Sequence, residues 1–164
     1  MITLRRFAAG ALVVAAAVLS LVLPATAQYG GDDRDALLAM HREVLEAHKA
    51  RDVTRLLSAE PDEIVTVGRG EVSRSDKKDR IAMFERYLGS TEFTIYRDMI
   101  DPLVRVSDDG TLGWVIVQVE IAGTHSAESG EKTEFGSQWG WIELYEKRNG
   151  QWYRTGTVSS RKPE

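Results

Sequence analysis

The chain has 164 residues, with 21 lysines and arginines against 25 acidic residues and a net charge of −4. Without a cysteine it can form no disulfide, zinc–thiolate centre, thiol nucleophile or lipid-modified cysteine. The acidic balance argues against nucleic acid or an anionic membrane surface as partner, and the length suits one domain with a core of its own.

Residues 1–27 read as a signal peptide. Arg5 and Arg6 form a basic start, Phe7 to Leu23 is almost wholly apolar, and Ala25-Thr26-Ala27 supplies a small-x-small cleavage pattern. The apolar run is shorter than the ~20 residues a membrane span needs. Export to the periplasm or the outside is therefore expected. Both arginines leave with this segment, so the remainder carries 19 basic against 25 acidic residues. No membrane contact is expected after cleavage.

Residues 28–31 read as a linker of small residues, and 32–164 as a single domain. Asp32, Asp33 and Asp35 offer caps and first-turn acids for a helix to about Arg51, with Leu37, Met40, His41, Val44 and His48 on one stripe. Asp52 caps a second, short helix that Glu60-Pro61 ends. Ile64 to Val67 is a strand, Gly68-Arg69-Gly70 a turn, and Ser75 or Asp76 caps a helix burying Ile81, Phe84 and Leu88 up to Gly89.

The rest is nearly all strand. Glu92 to Met99 alternates, with Tyr96 and Asp98 on one side and Phe93, Ile95 and Arg97 on the other. Leu103 to Val106 follows. Leu112 to Ala122 puts Val115, Val117, Val119 and Ile121 on one face and Trp114, Ile116, Gln118 and Glu120 on the other. Phe135 to Lys147 and Trp152 to Ser159 form a hairpin about Asn149-Gly150, the pair a type I′ turn favours. A two-residue turn pairs Tyr145 with Arg154, Glu143 with Gly156 and Trp141 with Val158. Trp139, Trp141, Tyr145 and Trp152 then share a face. Helices first and a meander after predict an α+β fold, a cone-like curved antiparallel sheet wrapped over N-terminal helices.

That order, with Ala47-His48-Lys49-Ala50-Arg51-Asp52-Val53, Val67-Gly68-Arg69-Gly70-Glu71 and Tyr145 to Trp152, resembles the nuclear transport factor 2-like superfamily in its SnoaL-like branch. The resemblance spans about Asp32 to Ser160. It implies a pocket between the first helix and the concave sheet face, and frequent homodimers through the outer face. Enzymes of this fold hold an Asp–His or Tyr–Asp pair inside the cone. Here the final strand, Thr155 to Ser159, lacks the histidine that relatives often carry there.

Candidate ligand-binding residues are His48, Tyr96, Trp114, Gln118, Trp139 and Trp141, and candidate acid–base residues are His48, Asp98 and Glu120. His48 is preferred to His41 because it lies in the family-like string. At helical rise the two sit about 10 Å apart, too far for one metal ion, and no other ligand spacing exists, so neither metal nor cofactor is expected. Three functions remain open. The first is an exported domain binding a small apolar or aromatic molecule. The second is an isomerase or dehydratase working by acid–base chemistry. The third is a dimeric interaction module without ligand.

Overall fold

The computed structural model describes residues 29–163, and the expected signal peptide lies outside the described residues. The elements are α1 (Tyr29–Ala50), α2 (Val53–Leu56), β1 (Glu63–Gly68), β2 (Glu71–Asp76), α3 (Lys77–Gly89), β3 (Thr91–Asp98), β4 (Leu103–Val106), β5 (Leu112–Ser126), β6 (Lys132–Arg148) and β7 (Gln151–Arg161). Helix α1 begins within the segment expected as linker. Asp33 lies inside this helix and so does not cap it, and its carboxylate turns inward to accept from Lys147 Nζ at 2.6 Å and Trp152 Nε1 at 3.0 Å. The next two helices start as expected: Asp52 accepts from the Arg55 amide, and Asp76 from the Asp79 amide.

One sheet holds all seven strands in the order β2-β1-β7-β6-β5-β3, with β4 also on β5. It is curved, unclosed and mixed, where a purely antiparallel sheet was expected. β1 runs parallel to β7, with Val65, Thr66 and Val67 beside Gly156, Thr157 and Val158. Some ninety residues separate these strands, and nothing local encodes their direction.

Along β5 the predicted alternation holds. Val115, Val117, Val119 and Ile121 are buried and pack with Leu37 and Leu45 of α1, Tyr96, Tyr145 and Trp152. Trp114, Ile116, Gln118 and Glu120 face away from α1. Asn149 (φ 52°) and Gly150 (φ 81°) make the predicted turn.

Two bulges overturn predicted faces. Thr94 has no partner on β5, since Phe93 pairs Gly123 and Ile95 pairs Ala122. Phe93, Tyr96 and Asp98 therefore all face inward, although strict alternation separated Phe93 from the other two. Thr155 is likewise extra, so Leu144 pairs Gly156 and Glu143 pairs Thr157. On α3 the buried side is Arg80 and Leu88 with Phe84 partly covered, and Ile81 is exposed. Arg80 replaces Ile81 because Glu60 draws its guanidinium inward.

At Gly123 β5 lies tight against β3: an added Cβ would overlap the Glu92 carbonyl beside the Thr94 bulge. Gly123→Ala is expected to cost about 2 kcal/mol in urea unfolding. Gly136→Ala, where a Cβ meets nothing, should leave the midpoint nearly unchanged.

Candidate functional site

The α1 stripe of Leu37, His41, Val44, Leu45 and His48 lies against the sheet, with His41 fully buried near its middle. From β3, the Thr94 bulge turns Asp98 inward beneath the helix. From β6, simple alternation presents Trp141, Glu143 and Tyr145. His41 joins the two sides: Nε2 meets Asp98 Oδ1 at 3.0 Å and Oδ2 at 3.2 Å. Its Nδ1 lies 3.3 Å from Glu143 Oε2, an ion-pair distance without hydrogen-bond alignment.

Burial alone would lower the His41 pKa. The flanking Glu143 and Asp98 carboxylates reverse this, and the net shift is upward. The protonated form of His41 is thereby favoured, and in that form both nitrogens are donors. Glu143 is itself almost inaccessible. Desolvation works to raise its pKa, but His41, Arg154 and Tyr145 outweigh it and the net shift is downward. Tyr145 donates its hydroxyl to Glu143 Oε2 at 2.7 Å, and Trp141 its indole N–H to Oε1 at 3.2 Å.

The Asn149-Gly150 turn pairs Arg154 with Tyr145 and so places it on the inner face, with Nη1 3.7 Å from Glu143 Oε1. Its Nη2 donates to Glu60 Oε1 at 2.7 Å and to the Leu56 carbonyl at 3.2 Å. Glu60 also accepts from Arg80 at 2.6 and 2.8 Å. The result is a chain of alternating sign, Asp98–His41–Glu143–Arg154–Glu60–Arg80, three anions and three cations. Most of it is buried, and Asp98 is its exposed end, with 22% of its side chain accessible.

Beside this chain, between α1, α2 and the β6–β7 hairpin, a cleft of about 280 Å³ opens to solvent. Ala39, Met40, Val44, Leu56 and Ala59 give it apolar walls, and Tyr145 and Arg154 line it too. At its edge Arg55 holds Glu43 with two bonds of 2.7 and 3.0 Å.

The expected site residues fall in several places. His48 does not meet Asp98: it is buried, its Nδ1–H donates to the Val44 carbonyl at 2.7 Å, and its ring stacks on Tyr96 with centroids 4.5 Å apart. Burial pushes its pKa down to about 4, so it stays neutral and packs. Tyr96 is buried with its phenol pKa raised by desolvation. Asp98 does pair with a histidine, but with His41. Glu120 lies on the outer face bound to Arg97 at 2.7 Å, and Trp114 and Gln118 share that face, so none of the three lines the cleft. Trp139 and Trp141 are half-buried on the inner face, their N–H groups taken by Ser137 and Glu143. The sequence reading missed Glu60, Arg80, Glu143 and Arg154. Glu143 left a trace, a lone acid on the aromatic face of its strand.

No family model matches the chain, and no curated protein matches it. Solved structures do. It is similar to an NTF2-like protein from Cytophaga hutchinsonii at 19% identity, covering 79% of this chain and 98% of that one with a TM-score of 0.62. An NTF2-like family protein from Streptomyces avermitilis, for which a dehydratase activity is proposed, matches at 15% identity over 81% and 99%, TM-score 0.66. One from Rhodospirillum rubrum, described as NTF2-like and of unknown function in nutrient uptake, matches at 17% over 77% and 98%, TM-score 0.61. The chain therefore has the nuclear transport factor 2-like fold.

The two buried histidines shift in opposite directions and mark opposite limbs of the pH–stability curve. His41, raised above 6.5, gives stability that is full below that value and lost as pH rises through its folded pKa. His48, lowered, makes stability fall as pH drops from 6.5 toward about 4. Urea unfolding across pH is expected to show His41→Asn flattening the alkaline limb and His48→Asn the acid limb. Removing one partner from the chain, as in Glu143→Leu, should cost about 3–5 kcal/mol.

Proposed function

We propose that the protein is an exported small-molecule-binding domain whose ligand enters between α1 and the sheet. The observation that carries this is the cleft itself: apolar walls with a few polar groups at one place, the usual composition of a small-ligand site. At about 280 Å³ it suits an occupant of roughly ten non-hydrogen atoms, judged by the ~30 Å³ a liquid water occupies. Native mass spectrometry of protein purified from its own host is expected to show a retained molecule of that size. Ala39→Trp, at an exposed α1 position on the cleft, should abolish retention while far-ultraviolet circular dichroism stays unchanged. Wild-type spectra of bare polypeptide alone would count against the reading.

The His41–Asp98 pair favours a second reading, the acid–base enzyme that the SnoaL-like resemblance implies. In it the partly exposed Asp98 carboxylate takes the substrate proton, and the buried imidazolium holds it in place and compensates its charge. The dehydratase activity proposed for the Streptomyces avermitilis protein suits such chemistry. Asp98→Asn would then abolish turnover yet leave cleft binding intact.

The outer face supports self-association. Register aligns Leu103, Ile116, Ile142 and Val158 in one row and Trp114 with Leu144 in the next. Leu103, Trp114, Leu144 and Val158 are all at least 36% exposed. An apolar strip of this kind on an open sheet face is costly in water and suits a second copy of the chain. Sedimentation should show a wild-type dimer and a Leu144→Glu monomer.

A further inference from the structure

The residues that line the cleft divide by exposure. Val44, Leu56, Tyr145 and Arg154 are buried and form its floor. Glu43 and Arg55 stand at its rim, with 46% and 43% of their side chains accessible. Glu43 belongs to α1 and Arg55 to α2. Their two bonds, of 2.7 and 3.0 Å, therefore join the two walls on the solvent side and narrow the mouth between them.

The walls themselves are held elsewhere. Leu37 and Leu45 seat α1 in the core. The segment carrying α2 is pinned by its backbone at both ends: the Asp52 amide donates to the Ala47 carbonyl at 2.9 Å, and the Ala59 carbonyl accepts from the Arg154 amide at 2.8 Å. Between them the Leu56 carbonyl accepts from Arg154 Nη2 at 3.2 Å. The rim pair is thus not what keeps the walls together. Among the described residues its two side chains hydrogen-bond only to each other. An exposed pair is worth no more than about a fivefold equilibrium preference, and exposed rotamers change within nanoseconds. The pair can part while the walls stay in place.

We infer that Glu43 and Arg55 form a side-chain latch on the cleft, which a small molecule passes only when the pair parts. This rests on the cleft being the binding site and adds how that site is entered. A latch acts on traffic in both directions. Breaking it raises entry and exit rates by the same factor, whereas losing a group that grips the ligand changes mainly the exit rate.

Fluorobenzene, small, neutral and apolar, is the probe. Fluorine exchange spectroscopy gives its entry and exit rates, and amide shifts at Val44 and Leu56 report where it sits. Arg55→Ala and Glu43→Ala are each expected to raise both rates about fivefold, and the double variant no further, because either change alone breaks the pair. Salt raised from about 0.01 M to 1 M should speed exchange in the wild type and not in the variants. Unchanged rates in both single variants, or effects that multiply in the double variant, overturn the latch while the cleft stands as a site. A change in the exit rate alone overturns it too, since the pair then grips the ligand. If fluorobenzene shifts no cleft resonance in any of the four proteins, the binding reading falls as well.

Discussion

Everything in this structure leans on a carboxylate that water barely reaches. Glu143 sits in the middle of the sheet with 1% of its side chain accessible. Stripping an ion of water costs several kcal/mol even after relaxation, so such a group survives only where its neighbours replace the solvent. Those neighbours come from α1, β6 and β7, as His41, Trp141, Tyr145 and Arg154. Arg154 then needs Glu60, which lies between α2 and β1, and Glu60 takes Arg80 from α3. One desolvated anion thereby fixes the placement of three helices against the far strands. The Glu60 contacts with Arg154 and Arg80, at 2.6 to 2.8 Å, add directional constraints to the packing of the apolar core.

The same chain explains where chemistry can reach solvent. His41 lies beneath the helix and touches no water, so it acts only through what it holds. On one side that is Asp98, part exposed. On the other it is Glu143, and beyond it Tyr145 and Arg154 at the cleft. The network thus runs from a partly exposed carboxylate at one end to the wall of the cleft.

Much of the fold was legible because it is locally encoded. The Asn149-Gly150 turn, the Asp52 and Asp76 caps and the clean alternation of β5 each follow from a few adjacent residues. The bulges at Thr94 and Thr155 were not legible. A single extra residue changes no composition, yet it reverses the face of everything after it. The choice between two histidines failed for a similar reason. His41 and His48 share one helical stripe, and only Asp98 and Glu143, far along the chain, decide which is charged and which is packed. The parallel pairing of β1 with β7 is equally non-local. Glu143 and Arg154 were both visible as polar residues in apolar strands. The turn already places Arg154 beside Tyr145 on the inner face, and the second bulge only moves Gly156 away from Glu143.

Charge balance also limits what this fold can accept. The six-member chain sums to zero when His41 is protonated, with each interior member between opposite signs. Adding an anion at the cleft would leave a net negative charge beside the buried part of the set. The set would have to take up a proton or expel the visitor. A cation would meet Arg154 there, and the Glu43 carboxylate at the edge is already taken by Arg55. A neutral molecule disturbs nothing, and its burial against Met40, Val44 and Leu56 contributes the ordinary ~25 cal/mol per Å² of apolar contact. Apolar walls disfavour an unpaired ion on their own, and the balanced charges behind them offer it no free partner.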